Sequence, residues 1–140
     1  MAKQVYSILL ADDSDDDRLF VRRALRKNPR FILAGEVGDG EAAIAWLSGA
    51  GEYKNREKHP FPDVLLLDLK MPRMTGHEVL AWLQTQTLPE LCVVVLSGSF
   101  LPRDIAQSRA LGAHAYFKKD ATEEQQRAML GDIIELLDHN

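Results

Sequence analysis

The chain of 140 residues has one cysteine, Cys92, and four scattered histidines, His59, His77, His114 and His139. A lone cysteine excludes an internal disulfide. Its place inside Cys92-Val93-Val94-Val95-Leu96 reads as a small buried hydrophobe in a reducing compartment. No Cys/His spacing suits a zinc site. No apolar run is long enough for a membrane span or a secretory leader: the N-terminal one covers only Val5 to Ala11 and then turns acidic. A cytoplasmic location is therefore expected. Positive charge is not in excess, and at a net −4 bulk electrostatics does not point to nucleic acid. Repeats, low-complexity tracts and a second hydrophobic unit are also missing. The length suits one domain, residues 1–140, whose output must pass through a partner's surface.

What the chain does have is a set of apolar runs that end on polar residues. Val5 to Ala11 leads into Asp12-Asp13, Val64 to Leu67 into Asp68, Cys92 to Leu96 into Ser97, and His114 to Phe117 into Lys118-Lys119. Helical patterns separate them. Ser14 to Lys27 carries Leu19, Phe20, Val21, Ala24 and Leu25 at helical spacing. Ser14 can cap its start, and Asp15, Asp16 and Asp17 suit the helix dipole in the first turn. Phe31 to Val37 is a further strand, followed by a helix from Gly40 to Leu47. Ser48 to Pro62 reads as the only long loop. Further helices are expected near Gly76 to Thr85, over Pro102 to Leu111, and from Thr122 onward.

Five β-α units with near-continuous apolar strands indicate an α/β fold: a parallel sheet covered on both faces, a doubly wound three-layer (βα)5 sandwich. Ligands of such sheets bind beyond the carboxyl ends of the strands. Three carboxylates, a hydroxyl and an ammonium then share one crevice. Magnesium takes oxygen ligands, and a bound cation would offset the electrostatic cost of clustering Asp12, Asp13 and Asp68. A carboxylate beside that cation can attack a phosphoryl donor and form an acyl phosphate. Taken singly, the acidic pair could cap a helix, Asp68 could serve a turn, and Lys118-Lys119 could be a solvated pair. Coincidence at four strand ends is a poor account of the whole set.

These residues resemble the response regulator receiver domain of two-component signalling, the chemotaxis-regulator type with a flavodoxin-like fold. The resemblance spans about the whole chain. It rests on Ile8-Leu9-Leu10-Ala11-Asp12-Asp13, on Pro62 to Gly76 with its Asp-x-x-Met-Pro-x-x-x-Gly pattern, on Val93 to Gly98, and on Gly112 to Lys119. It implies sheet order 2-1-3-4-5 and a single-domain regulator in a phosphorelay. A sensor histidine kinase would phosphorylate Asp68, with Mg2+ as cofactor and no further enzymatic activity beyond autophosphorylation and autodephosphorylation. Mg2+ would be held by Asp13, Asp68 and the backbone carbonyl of Lys70, with Asp12 acting through water. Ser97 and Lys119 would contact the phosphoryl group. Ser97 and Tyr116 would form the switch, Tyr116 turning inward and changing the surface of the Pro102–Leu111 helix, the Tyr116 strand and the last helix. That surface is also a candidate for homodimerisation, because Ile133, Ile134, Leu136 and Leu137 supply more apolar area than one stripe needs. The Gly49 to Pro62 loop with Gly51-Glu52-Tyr53 resembles regulators serving phytochrome-type kinases. Asp120 departs from the family, which usually has Pro after the lysine.

Other proteins of this architecture fit less well. A flavodoxin would need a Ser/Thr/Gly-rich phosphate loop where this chain has Asp12 to Asp17, which would repel a phosphate. A haloacid-dehalogenase-type phosphatase would need a second Asp at Lys70, and a P-loop enzyme its Gly-x-x-x-x-Gly-Lys signature. A scaffold that keeps the fold but signals without phosphate would have no use for the full polar set.

Overall fold

The computed structural model describes residues 3–139. Five strands, β1 (Tyr6–Ala11), β2 (Phe31–Val37), β3 (Val64–Leu67), β4 (Cys92–Ser97) and β5 (Ala115–Lys118), alternate with α1 (Asp15–Arg26), α2 (Gly40–Ser48), α3 (Gly76–Gln84), α4 (Pro102–Ala110) and α5 (Glu123–Asp138). The sheet is parallel throughout, in the order β2-β1-β3-β4-β5. Both the expected fold class and the expected strand order are therefore present.

The continuous apolar strands follow from two covered faces. In β3 all four residues are fully buried, at 0% exposure, each contributing about 1.5–3 kcal/mol on burial. Alternation sends Leu65 and Leu67 to a core shared with Val79 and Leu80 of α3 and Ala43, Trp46 and Leu47 of α2. Val64 and Leu66 face the other core, with Val21 and Leu25 of α1 and Met129, Leu130 and Ile133 of α5. Cys92 lies in this second core as expected, and burial pushes its thiol up to about 11.

Strand register aligns the polar ends. Ala11 pairs with Leu67 and Leu67 with Val95, while Ser97 pairs with Lys118. Asp12 and Asp68 thus leave adjacent strands at one level. The Asp68 N–H donates to the Ala11 carbonyl (2.9 Å), and the Lys119 N–H donates to that of Ser97 (2.9 Å). After Asp68 the chain doubles back, with Leu69 and Met71 buried. The Gly76 N–H donates to the Leu69 carbonyl (2.9 Å). A Cβ at Gly76 would sit 2.4 Å from the Asp68 carbonyl oxygen, so the glycine lets α3 start directly against the Asp68 backbone.

The stretch from Ser48 to Pro62 is more ordered than its composition suggests. It contains a 3-10 turn at Gly51–Lys54. The Arg56 guanidinium donates to the carbonyls of Trp46 (2.6 Å) and Leu47 (2.9 Å) and so satisfies the end of α2. The rings of Tyr53 and His59 pack on Trp46, with centroids 5.1 and 4.8 Å away.

The apolar surplus read on α5 is smaller than expected. Met129, Leu130 and Ile133 are buried, and Ile134 and Leu137 pack against the same core. Of that stripe Leu136 alone remains exposed.

Candidate functional site

β1 delivers Asp12 and Asp13. Asp12 is 1% exposed and accepts from the Ser14 N–H at 2.9 Å, whereas Asp13 is exposed. β3 delivers Asp68, 5% exposed. One ligand oxygen from each of these three residues lies within 4.8 Å of the others. An all-oxygen cluster of that size can hold a hard divalent cation. Lys70 has an exposed side chain, and its N–H approaches Asp68 Oδ1 at 3.4 Å.

Lys119, just beyond β5, enters the crevice with its side chain 13% exposed. Its Nζ lies 2.7 Å from Asp12 Oδ2, 2.8 Å from Asp17 Oδ2 and 3.0 Å from Asp68 Oδ2. Lys118 stays exposed. Adjacent side chains of an extended segment cannot both turn to the same point, and the register selects Lys119.

The electrostatics follow from burial. Desolvation raises the Asp68 pKa above the ordinary carboxylate value, and the hydrogen bond from Lys119 opposes this without cancelling it. Burial alone would lower the Lys119 pKa. Hydrogen bonds to Asp12, Asp17 and Asp68 outweigh it, so the ammonium is held charged. Asp68 therefore carries a charge that its surroundings compensate only in part, the condition in which a cation is attracted.

Ser97 is 1% exposed, and its Oγ accepts from the Ser99 N–H at 3.1 Å. Tyr116 is 9% exposed. Its hydroxyl donates to the Ser99 carbonyl at 2.6 Å, and its ring meets Phe100 edge-on at 5.7 Å. Tyr116 is thus buried in the core against which Ile105 of α4 packs, with its hydroxyl on a backbone acceptor. Asp120 takes φ 63°, a left-handed conformation that aspartate tolerates. No peptide bond among the described residues is cis.

Asp17 is the site residue that sequence reasoning passed over. It lies in the first turn of α1, where Asp15, Asp16 and Asp17 all read as dipole-balancing acids. Ser14 caps the helix by accepting from the Asp17 N–H at 3.2 Å, which fixes the third acid toward Lys119.

Comparison with known proteins agrees with this geometry. The family model of the response regulator receiver domain matches residues 8–131. Response regulator Rcp1 of Synechocystis is 37% identical over 113 residues, covering 80% of this chain and 75% of Rcp1. The phosphorylated cyanobacterial phytochrome response regulator RcpA superposes with a TM-score of 0.81 at 34% identity, covering 95% of this chain and 94% of that one. The Mn2+-bound form of Rcp1 gives 0.75 at 33% identity, with 91% of each chain covered. The chain spans only 56% of the nitrate/nitrite response regulator NarL of Escherichia coli, at 32% identity over 133 residues, so NarL's remaining activities are not carried over. With a doubly wound sheet, an acidic crevice at its strand ends and a family match over nearly its whole length, the chain belongs to the response regulator receiver domain family and is a phosphoacceptor of two-component signalling.

Proposed function

We propose that Asp68 is the phosphoacceptor and that this crevice transfers a phosphoryl group to it from a sensor histidine kinase in the presence of Mg2+. The observation that carries this is the Lys119 ammonium 3.0 Å from Asp68 Oδ2, in a crevice that also gathers the oxygens of Asp12 and Asp13. Asp13, Asp68 and the backbone carbonyl of Lys70 would hold Mg2+ directly, and Asp12 would act through a bound water. When bound, the ion supplies positive charge against the carboxylates and the incoming phosphoryl oxygens.

In the transfer an Asp68 carboxylate oxygen forms the new O–P bond while the P–N bond to the donor imidazole breaks. The imidazole leaves with the bonding pair. Lys119 donates to a phosphoryl oxygen, and the Ser97 hydroxyl donates to another. Drawing Ser97 toward the phosphoryl group would release the Ser99 N–H from Ser97 Oγ. Ser99 also carries the Tyr116 hydroxyl on its carbonyl, so the same movement reaches β5 and α4. The signal is then a change at the α4-β5-α5 surface, a bias on an existing equilibrium.

The likeness to Rcp1 and RcpA supports a phytochrome-type kinase as donor. Autophosphorylation from small donors and autodephosphorylation belong to the same reading. So does a cytoplasmic setting, with which the lack of any helix long and apolar enough to cross a membrane among the described residues agrees. A homodimer through α4-β5-α5 would draw on the exposed Phe100, Leu101 and Leu136. Intact mass after acetyl phosphate treatment tests the central reading. A phosphate-sized gain is expected in wild type with Mg2+, and none with EDTA or in Asp68→Asn. The same gain in Asp68→Asn would overturn the assignment.

A further inference from the structure

We propose that Asp17 is a positioning residue for phosphoryl transfer, anchoring the Lys119 ammonium from the α1 side of the crevice. This rests on the reading of Asp68 as acceptor. An ammonium has three N–H donors; here it donates to Asp17 and Asp68 and pairs with Asp12 at 2.7 Å. Phosphorylation removes the charge from Asp68 and moves it to the phosphoryl oxygens. The hydrogen serving Asp68 is then the one free to follow, while the other two hold the lysine in place. Asp12 grips from the buried end of β1. Asp17 grips from α1, with its own backbone held by the Ser14 hydroxyl.

The surroundings make the second grip consequential. A pocket of about 270 Å3 opens between α1 and α5, floored by Val21, Leu96 and Met129, and both Asp17 and Lys119 line it. Lysine is a flexible stem carrying a point charge. Without Asp17 the ammonium has open space on that side and one anchor fewer, and transfer depends on its staying within hydrogen-bond reach of the phosphoryl oxygens. Asp17 also adds negative charge, which would repel an anionic donor. Positioning and repulsion predict opposite effects on rate, so the two are separable.

The test is the initial rate of phosphate gain from acetyl phosphate with Mg2+, read by intact mass. In this reaction the Asp68 O–P bond forms as the P–O bond to acetate breaks, and acetate leaves with the electron pair. Asp17→Ala is compared with Asp17→Glu, and with Asp16→Ala, which makes the same charge change at an exposed neighbour. Asp17→Ala is expected to slow by about 3- to 10-fold. Asp16→Ala should stay within about twofold of wild type, as surface changes usually do, and Asp17→Glu should recover at least half of the loss. A rate in Asp17→Ala equal to or above wild type, or an equal slowing in Asp16→Ala, would overturn the proposal. The Lys119 ammonium 1H–15N signal of unphosphorylated protein gives a second readout, expected to weaken in Asp17→Ala only. If wild type takes up no phosphate, or Asp68→Asn takes up as much, the acceptor assignment fails; an Nζ signal unchanged in Asp17→Ala then overturns the anchoring by Asp17 on its own.

Discussion

At the scale of single residues, the site is a balance between one ammonium and several carboxylates. Asp68 has a pKa raised chiefly by burial. The native state therefore holds its proton more tightly than the unfolded chain does, and ionised Asp68 takes stability away at neutral pH. Asp68→Asn is expected to be more stable than wild type in metal-free buffer, by on the order of 1 kcal/mol. Denaturant unfolding in EDTA measures this, and a less stable Asp68→Asn would contradict the account. Lys119→Ala leaves buried Asp12 and Asp68 without their cation, a loss on the order of 3 kcal/mol. It should also abolish the conformational response to beryllofluoride, whereas Lys118→Ala should behave as wild type in both respects. The reverse pattern would mean that the register around β5 is misassigned. Residue types at strand ends pointed to Asp12, Asp13, Asp68, Ser97 and the Lys118-Lys119 pair in the chain itself, and the receiver resemblance chose Lys119. Asp17 was not, because its partner lies 102 residues away and a run of three first-turn acids already has a local explanation.

At the scale of elements, caps account for the agreement between expected and observed boundaries. Ser14 opens α1, and Thr75 and Thr122 form capping boxes with Glu78 and Gln125. β2 matches its expected span, since Phe31 and Val37 are buried ends bounded by turn residues. The loop after α2 was not legible, because its order comes from Arg56 on α2 carbonyls and from ring packing, which no local pattern announces. α4 stands apart. It has no side-chain N-cap, and Ser108 is its one buried residue, held by a 3.0 Å contact to His77 Nε2. A helix with so little buried apolar surface should open easily. Hydrogen exchange is expected to show α4 as the least protected of the five helices, with protection changing there and in β5 when beryllofluoride and Mg2+ are added. Unchanged exchange everywhere between Ser97 and His139 would argue for a passive scaffold.

At the scale of the whole molecule, two cores press on a five-stranded sheet and deliver polar residues from separate strands to one crevice. The architecture was readable because strands covered on both faces must be continuously apolar, and the ends of those runs then mark the crevice. The α5 surplus was overread because helical periodicity cannot say how far a neighbouring sheet wraps round; Ile134 and Leu137 proved half-buried, packed against the core. Association through α4-β5-α5 accordingly has only a modest apolar patch to use. Sedimentation should move toward a dimer with beryllofluoride and Mg2+, and Leu136→Lys should suppress that shift. A dimer unaffected by Leu136→Lys would place the interface elsewhere. The central claim is that the phosphoryl group resides on Asp68. Borohydride reduces an aspartyl phosphate to homoserine, so trapping after acetyl phosphate and Mg2+ treatment, followed by peptide sequencing in the mass spectrometer, reads the acceptor directly. The account predicts homoserine at position 68 and nowhere else; homoserine at position 12, 13 or 17, with Asp68 intact, would contradict it.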